Sequence, residues 1–150
     1  MRSTHRRMVI GAAAALIAAA TLVPVPARAD DELHNITYIA RIDGVAPGSV
    51  ATFLTGDGQA NSAPLSALPG RVFEANTVLD DPAKAGMRIQ LHWPNSANVH
   101  CEITVDGTIA VQVDQFVAPQ MNNTDADNGV LSCGAPLQPG DTVDAGHPPG

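Results

Sequence analysis

Histidines are the first residues of this chain whose type and spacing could support chemistry. His92 and His100 flank a predicted turn, and a hairpin there would bring the two imidazoles within metal-binding reach. Two ligands do not complete a metal site, and each histidine alternates with the inward residues of its strand. We therefore expect solvent-exposed histidines and predict no metal site.

Carboxylates form two further candidates. Residues 123–129 place oxygen-bearing side chains at alternating positions, as calcium loops do, but Asn128 stands where the loop needs glycine and Gly134 where it needs glutamate. Asp80 and Asp81 precede Pro82, which is typical of a turn at a strand end. We expect a solvated acidic loop in the first case and turn formers in the second.

A nucleophilic enzyme has little support in the sequence. No serine lies in a G-x-S-x-G turn, although spacing alone leaves Ser96, His100 and Asp106 compatible with a triad. Five aromatic residues and the lack of a glycine-rich nucleotide loop argue against a cofactor enzyme. We predict no catalytic residue and no cofactor, and a small hydrolase is the least favoured hypothesis.

The first 29 residues have the organisation of a signal peptide. A basic start is followed by an apolar run over residues 8–23, and Ala27 and Ala29 then supply the small residues that signal peptidase requires. An apolar run of about 16 residues is shorter than the ~20 that cross a bilayer. We predict cleavage between Ala29 and Asp30 by either the Sec or the twin-arginine route. The mature chain is then secreted, periplasmic or attached to the cell envelope, with no integral membrane span.

Export places the cysteines in an oxidising compartment, where disulfides persist. Cys101 and Cys133 are the only two cysteines, and their spacing fits neither a C-x-x-C motif nor a zinc pattern. We predict that they form a disulfide, which closes a loop of about 33 residues and stabilises the fold by about 3 to 4 kcal/mol.

The charge balance excludes one class of partner. Residues 30–150 contain all 15 acidic residues but only four of the eight basic ones, a net charge of −11. Such a surface repels phosphate backbones and anionic lipid headgroups. We predict no nucleic-acid partner.

The elements that must position these residues are β-strands, because the apolar residues after residue 30 recur with a period of two. Asp106 and Gly107 predict a type I′ hairpin turn, and Trp93 and Phe116 are the bulky side chains expected between the sheets. Residues 60–70 are either a connection or an irregular edge. The predicted strands begin at Asn35, Val50, Arg71, Met87, Val99, Thr108 and Gly129.

This strand count predicts an all-β fold, a two-layer immunoglobulin-like β-sandwich of about seven strands over residues 30–136. Residues 137–150 are rich in proline and glycine and form a disordered tail, because they have few side chains to bury.

Three segments resemble a known family. The hairpin that begins Cys101-Glu-Ile-Thr-Val-Asp-Gly107, the last strand ending in Cys133, and the opening Asn35-Ile-Thr-Tyr38 resemble the extracytoplasmic domain of the mycobacterial membrane protein small (MmpS) family. The resemblance implies a non-catalytic domain that assists an RND-type transporter in exporting lipids or siderophores. It also allows direct binding of an envelope lipid or small molecule.

Members of that family keep an N-terminal transmembrane helix, whereas we predict a cleavable signal peptide for this chain. The alternative is therefore a secreted structural or interaction protein with no transporter link.

Overall fold

The computed structural model describes residues 32–137, which form eight β-strands and one 3₁₀ turn. The predicted signal peptide, its cleavage point between Ala29 and Asp30, and residues 138–150 of the predicted tail lie outside the described residues. The strands are β1 (His34–Asp43), β2 (Val50–Leu54), β3 (Ala60–Pro64), β4 (Val72–Leu79), β5 (Gly86–Gln90), β6 (Ala97–Val105), β7 (Thr108–Val117) and β8 (Val130–Gly134).

The strands form two four-stranded antiparallel sheets of unequal size. The long sheet has the order β4-β1-β6-β7 and the short sheet the order β3-β2-β5-β8. Every strand of the short sheet has five residues, whereas those of the long sheet have eight to ten. The predicted all-β sandwich is confirmed, with eight strands where the sequence indicated seven.

The extra strand is β3, the first part of the segment predicted as a connection or an irregular edge. Its sequence, ANSAP, has no β-branched residue and ends in a proline. Proline cannot donate a ladder hydrogen bond, so it is tolerated only where one side of the strand has no partner. β3 satisfies this condition because it lies at an edge of the short sheet.

The core lies between the sheets and follows the predicted alternation. Ile36, Tyr38, Ala40 and Ile42 of β1 are buried, as are Val99, Cys101 and Ile103 of β6. The Tyr38 ring on the long sheet packs against Phe53 on the short sheet with 5.3 Å between ring centroids. Phe53 in turn lies 5.8 Å from the half-buried Phe73.

The prediction that Trp93 and Phe116 fill the core is wrong, since their side chains are 54% and 59% exposed. β5 ends at Gln90, so Trp93 lies in the following turn, beyond the end of the strand that buries Met87 and Ile89. Phe116 has the same parity as Asp114 on β7, which places it on the outer face of the long sheet. The aromatic side chains of the core are therefore Tyr38 and Phe53, which pack among buried aliphatic residues of both sheets.

Two predicted turns have the expected chemistry. Asp106 and Gly107 both have positive φ, 51° and 80°, as a type I′ turn between β6 and β7 requires. The Asp81 carboxylate accepts a hydrogen bond from the Ala83 amide at 3.0 Å and caps the 3₁₀ turn at Pro82–Lys84.

Candidate binding surface

His100 lies on the outer face of the long sheet, among acidic residues. Its Nδ1 donates a hydrogen bond to Asp114 Oδ1 at 2.7 Å across the β6–β7 pair, and its Nε2 is 3.6 Å from Glu102 Oε2. The expectation of a solvent-exposed histidine is wrong here, because only 11% of the His100 side chain is exposed. His92 is exposed, as expected.

The hydrogen bond from His100 lowers the pKa of Asp114, because it stabilises the ionised carboxylate. A histidine oriented by a carboxylate is one part of a catalytic triad, but the other sequence candidates lie elsewhere. Asp106 is six residues further along the strand direction, about 20 Å away at ~3.3 Å per residue, and its carboxylate contacts His34. Ser96 precedes β6 in an exposed turn. Ser96, His100 and Asp106 therefore do not assemble.

The metal candidates are also separated. Within residues 32–137 no group of three or more His, Cys, Asp or Glu side chains is placed to hold a metal ion. In the acidic loop, Asn123 Oδ1 accepts from the Asp125 amide at 2.9 Å and Asn128 Oδ1 from the Gln120 amide at 2.8 Å. These side-chain oxygens are thus used to fold the loop itself.

Cys101 and Cys133 form the predicted disulfide, with 6.4 Å between their Cα atoms. Cys101 is on β6 of the long sheet and Cys133 on β8 of the short sheet, so the bond crosses the core and joins the two layers. Among residues 32–137, β5 is the one strand partner of β8, which makes this bridge a second attachment for an edge strand.

The loop between β7 and β8 is held in place by Asn128. Its Nδ2 donates to the Gln120 and Asn123 carbonyls at 2.9 and 3.0 Å. Arg88 of β5 donates to the Ala126 carbonyl, and Gln90 Nε2 donates to the Asn128 carbonyl at 2.9 Å. The acidic loop is therefore attached to the short sheet.

Two cavities open on either side of this loop. The larger, about 440 Å³, lies between the loop and the C-terminal end of β7; its lining includes Gln115, Phe116, Asp125 and Asp127. We call it the acidic pocket. The smaller, about 240 Å³, is lined by Trp93 and His92 on one side and Asn123 and Asp125 on the other.

A third cavity of about 550 Å³ opens at the other end of β7. It is lined by Ile103, Val105, Ala110 and Val111 of the long sheet and by Pro82, Ala83, Ala85, Gly134 and Ala135 on the opposite side. None of these side chains is charged or polar. We call it the apolar groove, and it exists because the five-residue β8 covers only part of the ten-residue β7.

β7 therefore contributes to both the acidic pocket and the apolar groove, and it is an edge strand with β6 as its one strand partner among the described residues. Sequence analysis missed this surface. The available signal was that Thr108–Val117 has apolar residues on both faces, including Ile109 and Phe116, and a single charge, Asp114.

Two comparisons with known proteins were negative. A scan against protein-family models gives no match, and a search of curated proteins also finds none similar to this chain. Among residues 32–137, no helix has the length and apolarity needed to cross a membrane.

Proposed function

We propose that this protein is a non-catalytic, exported binding domain of the cell envelope that docks a partner protein along the free edge of β7. The observation that carries the proposal is the edge itself. An unpaired strand edge presents a row of backbone donors and acceptors, which a segment of another chain can pair with. β7 is ten residues long and contains neither proline nor lysine, the residues that commonly block such pairing.

The resemblance to the MmpS family supports an accessory role beside an RND-type transporter. A secreted interaction protein with no transporter link would use the same edge. The proposed surface is common to both, so identification of the docked partner separates them.

The test is site-specific photo-crosslinking in intact cells of the source organism. A photoreactive residue at Gln112 of β7 is compared with one at Asn76 of β4, the opposite edge of the long sheet; both positions are exposed. We expect a protein adduct from position 112 and none from position 76. A transporter component in the adduct supports the accessory role, and another envelope or secreted protein supports the alternative. Equal labelling at both positions, or none, would contradict the proposal.

The apolar groove favours a second candidate, a carrier of an envelope lipid or small apolar molecule. Its uncharged lining and a volume of about 550 Å³ suit an alkyl chain. Native mass spectrometry of protein purified from the envelope checks this, because a carrier retains a bound molecule that Val111→Glu should release.

A further inference from the structure

We infer that the partner segment that pairs with β7 is an extended peptide with alternating apolar side chains. One of these side chains enters the apolar groove, and a lysine or arginine lies about five residues away from it. This inference rests on the proposed function and specifies the chemistry of the partner.

The regular part of the β7 edge sets where pairing occurs. The β6–β7 register shifts between Ile103 and Thr104, which leaves Ala110 as an extra residue, and pairing is regular from Val111 to Val117. A bulge bends its strand and disrupts the ladder locally. A partner strand is therefore expected beside Val111–Val117, with its end near Ala110 above the apolar groove.

The other sheet edges are less suitable. β3 and β8 have five residues each, and β3 contains Pro64. At β4 the loop after β2 approaches the strand, where the Gly56 amide donates to Thr77 Oγ1 at 3.1 Å. Of the four edge strands that the structure describes, β7 is the longest, and it contains no proline.

The apolar groove defines one end of the partner segment. Val111 is half-buried and Ala110 is exposed, so part of the apolar wall of the groove is in contact with solvent. Alternate residues of an added strand point to the inner face of the sheet, where they would cover Val111. Burial of that surface favours an apolar side chain on the partner at this end.

The acidic pocket defines the other end. It combines the exposed Phe116 ring with the carboxylates of Asp125 and Asp127. A cationic group is attracted both to carboxylates and to the face of an aromatic ring. Val111 and Phe116 are five residues apart, about 17 Å at ~3.3 Å per residue, which gives the spacing between the apolar and basic side chains of the partner.

The charge pattern excludes two occupants from within this protein. Residues 138–150 contain two aspartates, one histidine and no lysine or arginine, so they do not supply the lysine or arginine that the inference requires. In a second copy β7 has one charged residue, Asp114, and no lysine or arginine, so it also lacks the basic group. Neither of these two segments carries the basic group, so we infer that the partner is a different protein.

The test uses the exported protein and fluorescent eight-residue peptides in which valine and threonine alternate. Lysine stands at the first position in one peptide and at the last in another, since β7 can accept either strand direction, and glutamate replaces lysine in the controls. Fluorescence anisotropy measures affinity, and amide NMR shifts locate the peptide. We expect one lysine peptide to bind, to weaken as salt rises, and to shift amides of Val111–Val117.

Two variants, each altering exposed residues, probe the two ends of the partner segment. Asp125→Asn with Asp127→Asn should weaken binding about three- to tenfold, the effect of losing two exposed charge contacts. Ala110→Trp should fill the mouth of the apolar groove and weaken binding comparably. The matched controls are Glu74→Gln with Asp80→Asn, and Ala67→Trp, which should leave binding unchanged.

Several results would overturn the inference. One is equal affinity for the lysine and glutamate peptides, and another is amide shifts at β3 or β4 in place of β7. A third is that palmitate, added as a lipid probe, binds in the apolar groove while no peptide binds. If position 112 crosslinks a partner but no lysine peptide binds, docking along β7 stands and the stated chemistry fails. If position 112 gives no adduct and no peptide binds, both fail.

Discussion

Tyr38 shows how one polar atom is accommodated in the core. Its side chain is fully buried, and its hydroxyl donates to the Leu54 carbonyl at 2.8 Å across the two sheets. Removal from water disfavours the phenolate, and this raises the pKa of Tyr38 to about 12 from its ordinary value of 10.0. The neutral hydroxyl is therefore part of the fold.

Alkaline titration of Tyr38 gives the first prediction. Because the pKa is raised in the folded state, the corresponding stability is complete below pH 10.0 and is lost as the pH rises towards 12. Tyr38 is the one tyrosine of the chain, so tyrosinate absorbance reports it directly. Absorbance should rise near pH 12 in the native protein and near pH 10 in urea. Native titration at pH 10, with no loss of structure, would contradict the burial of this hydroxyl.

Asp106 connects the β6–β7 turn to the first strand. Its carboxylate accepts hydrogen bonds from His34 Nδ1 at 2.7 Å and from the Asn35 amide at 2.9 Å, and its own amide donates to the Asn35 carbonyl at 2.8 Å. The bond between the side chains raises the pKa of His34 and lowers the pKa of Asp106.

These shifts predict a pH dependence of stability. The raised pKa of His34 gives a contribution to folding stability. It is complete below pH 6.5 and is lost as the pH rises through the folded-state pKa. The lowered pKa of Asp106 gives a second stabilising contribution. It is present above pH 3.8 and is lost as the pH falls through the folded-state value. Urea denaturation should therefore show higher stability at pH 5 than at pH 8. Asp106→Asn, which tolerates the positive φ of the turn, should reduce that difference, and an unchanged difference would rule out this pair as its cause.

At the scale of the strand, position in the sandwich determines which aromatic residues stabilise the fold. Phe53 lies in β2 of the short sheet and packs between the rings of Tyr38 and Phe73. Phe116 lies on the outer face of the edge strand β7. The two side chains are chemically identical, but Phe53 is buried on folding, whereas Phe116 stays 59% exposed.

The third prediction follows from this difference. Phe53→Ala should lower the free energy of unfolding by about 3 to 5 kcal/mol, because it removes buried area and leaves a cavity. Phe116→Thr should change it by no more than about 0.5 kcal/mol, since threonine retains β propensity and little burial is lost. Urea denaturation of both variants gives the comparison. Similar losses for the two would show that Phe116 is covered in solution.

At the scale of the whole molecule, the disulfide joins two sheets of unequal size. Cys101 and Cys133 are 0% and 3% exposed, and the bridge attaches the edge strand β8 to the centre of the long sheet. Without it, β8 is held by its pairing with β5, by its packing and by the adjacent acidic loop.

The fourth prediction concerns this bridge. Cys101→Ser with Cys133→Ser should lower the free energy of unfolding by about 2 to 5 kcal/mol and increase amide exchange in β8. The corresponding alanine pair controls for the cost of burying two hydroxyls. Intact mass under non-reducing conditions checks the starting point. With the proposed cleavage before Asp30, the oxidised chain should be lighter by two hydrogens than its reduced form. Two free thiols in protein isolated under non-reducing conditions would contradict the pairing.

The sequence by itself determined the strands that bury one face. A period of two, with Ile36, Tyr38 and Ala40 on one side, specifies which face of β1 is inside, and Asp106-Gly107 specifies a turn that only positive φ allows. The cysteine pair also followed, because the chain has no other cysteine. These features depend on neighbours in sequence or on a simple count.

Tertiary structure decided the rest. β3 has no local strand signal and forms because β2 offers it an edge, and Trp93 lies outside the core because β5 ends three residues before it. The acidic pocket and the apolar groove depend on how far the short sheet extends over β7, which is a relation between segments distant in sequence. Local propensity contains no information on that overlap, so the binding surface could be identified only when both sheets were in place.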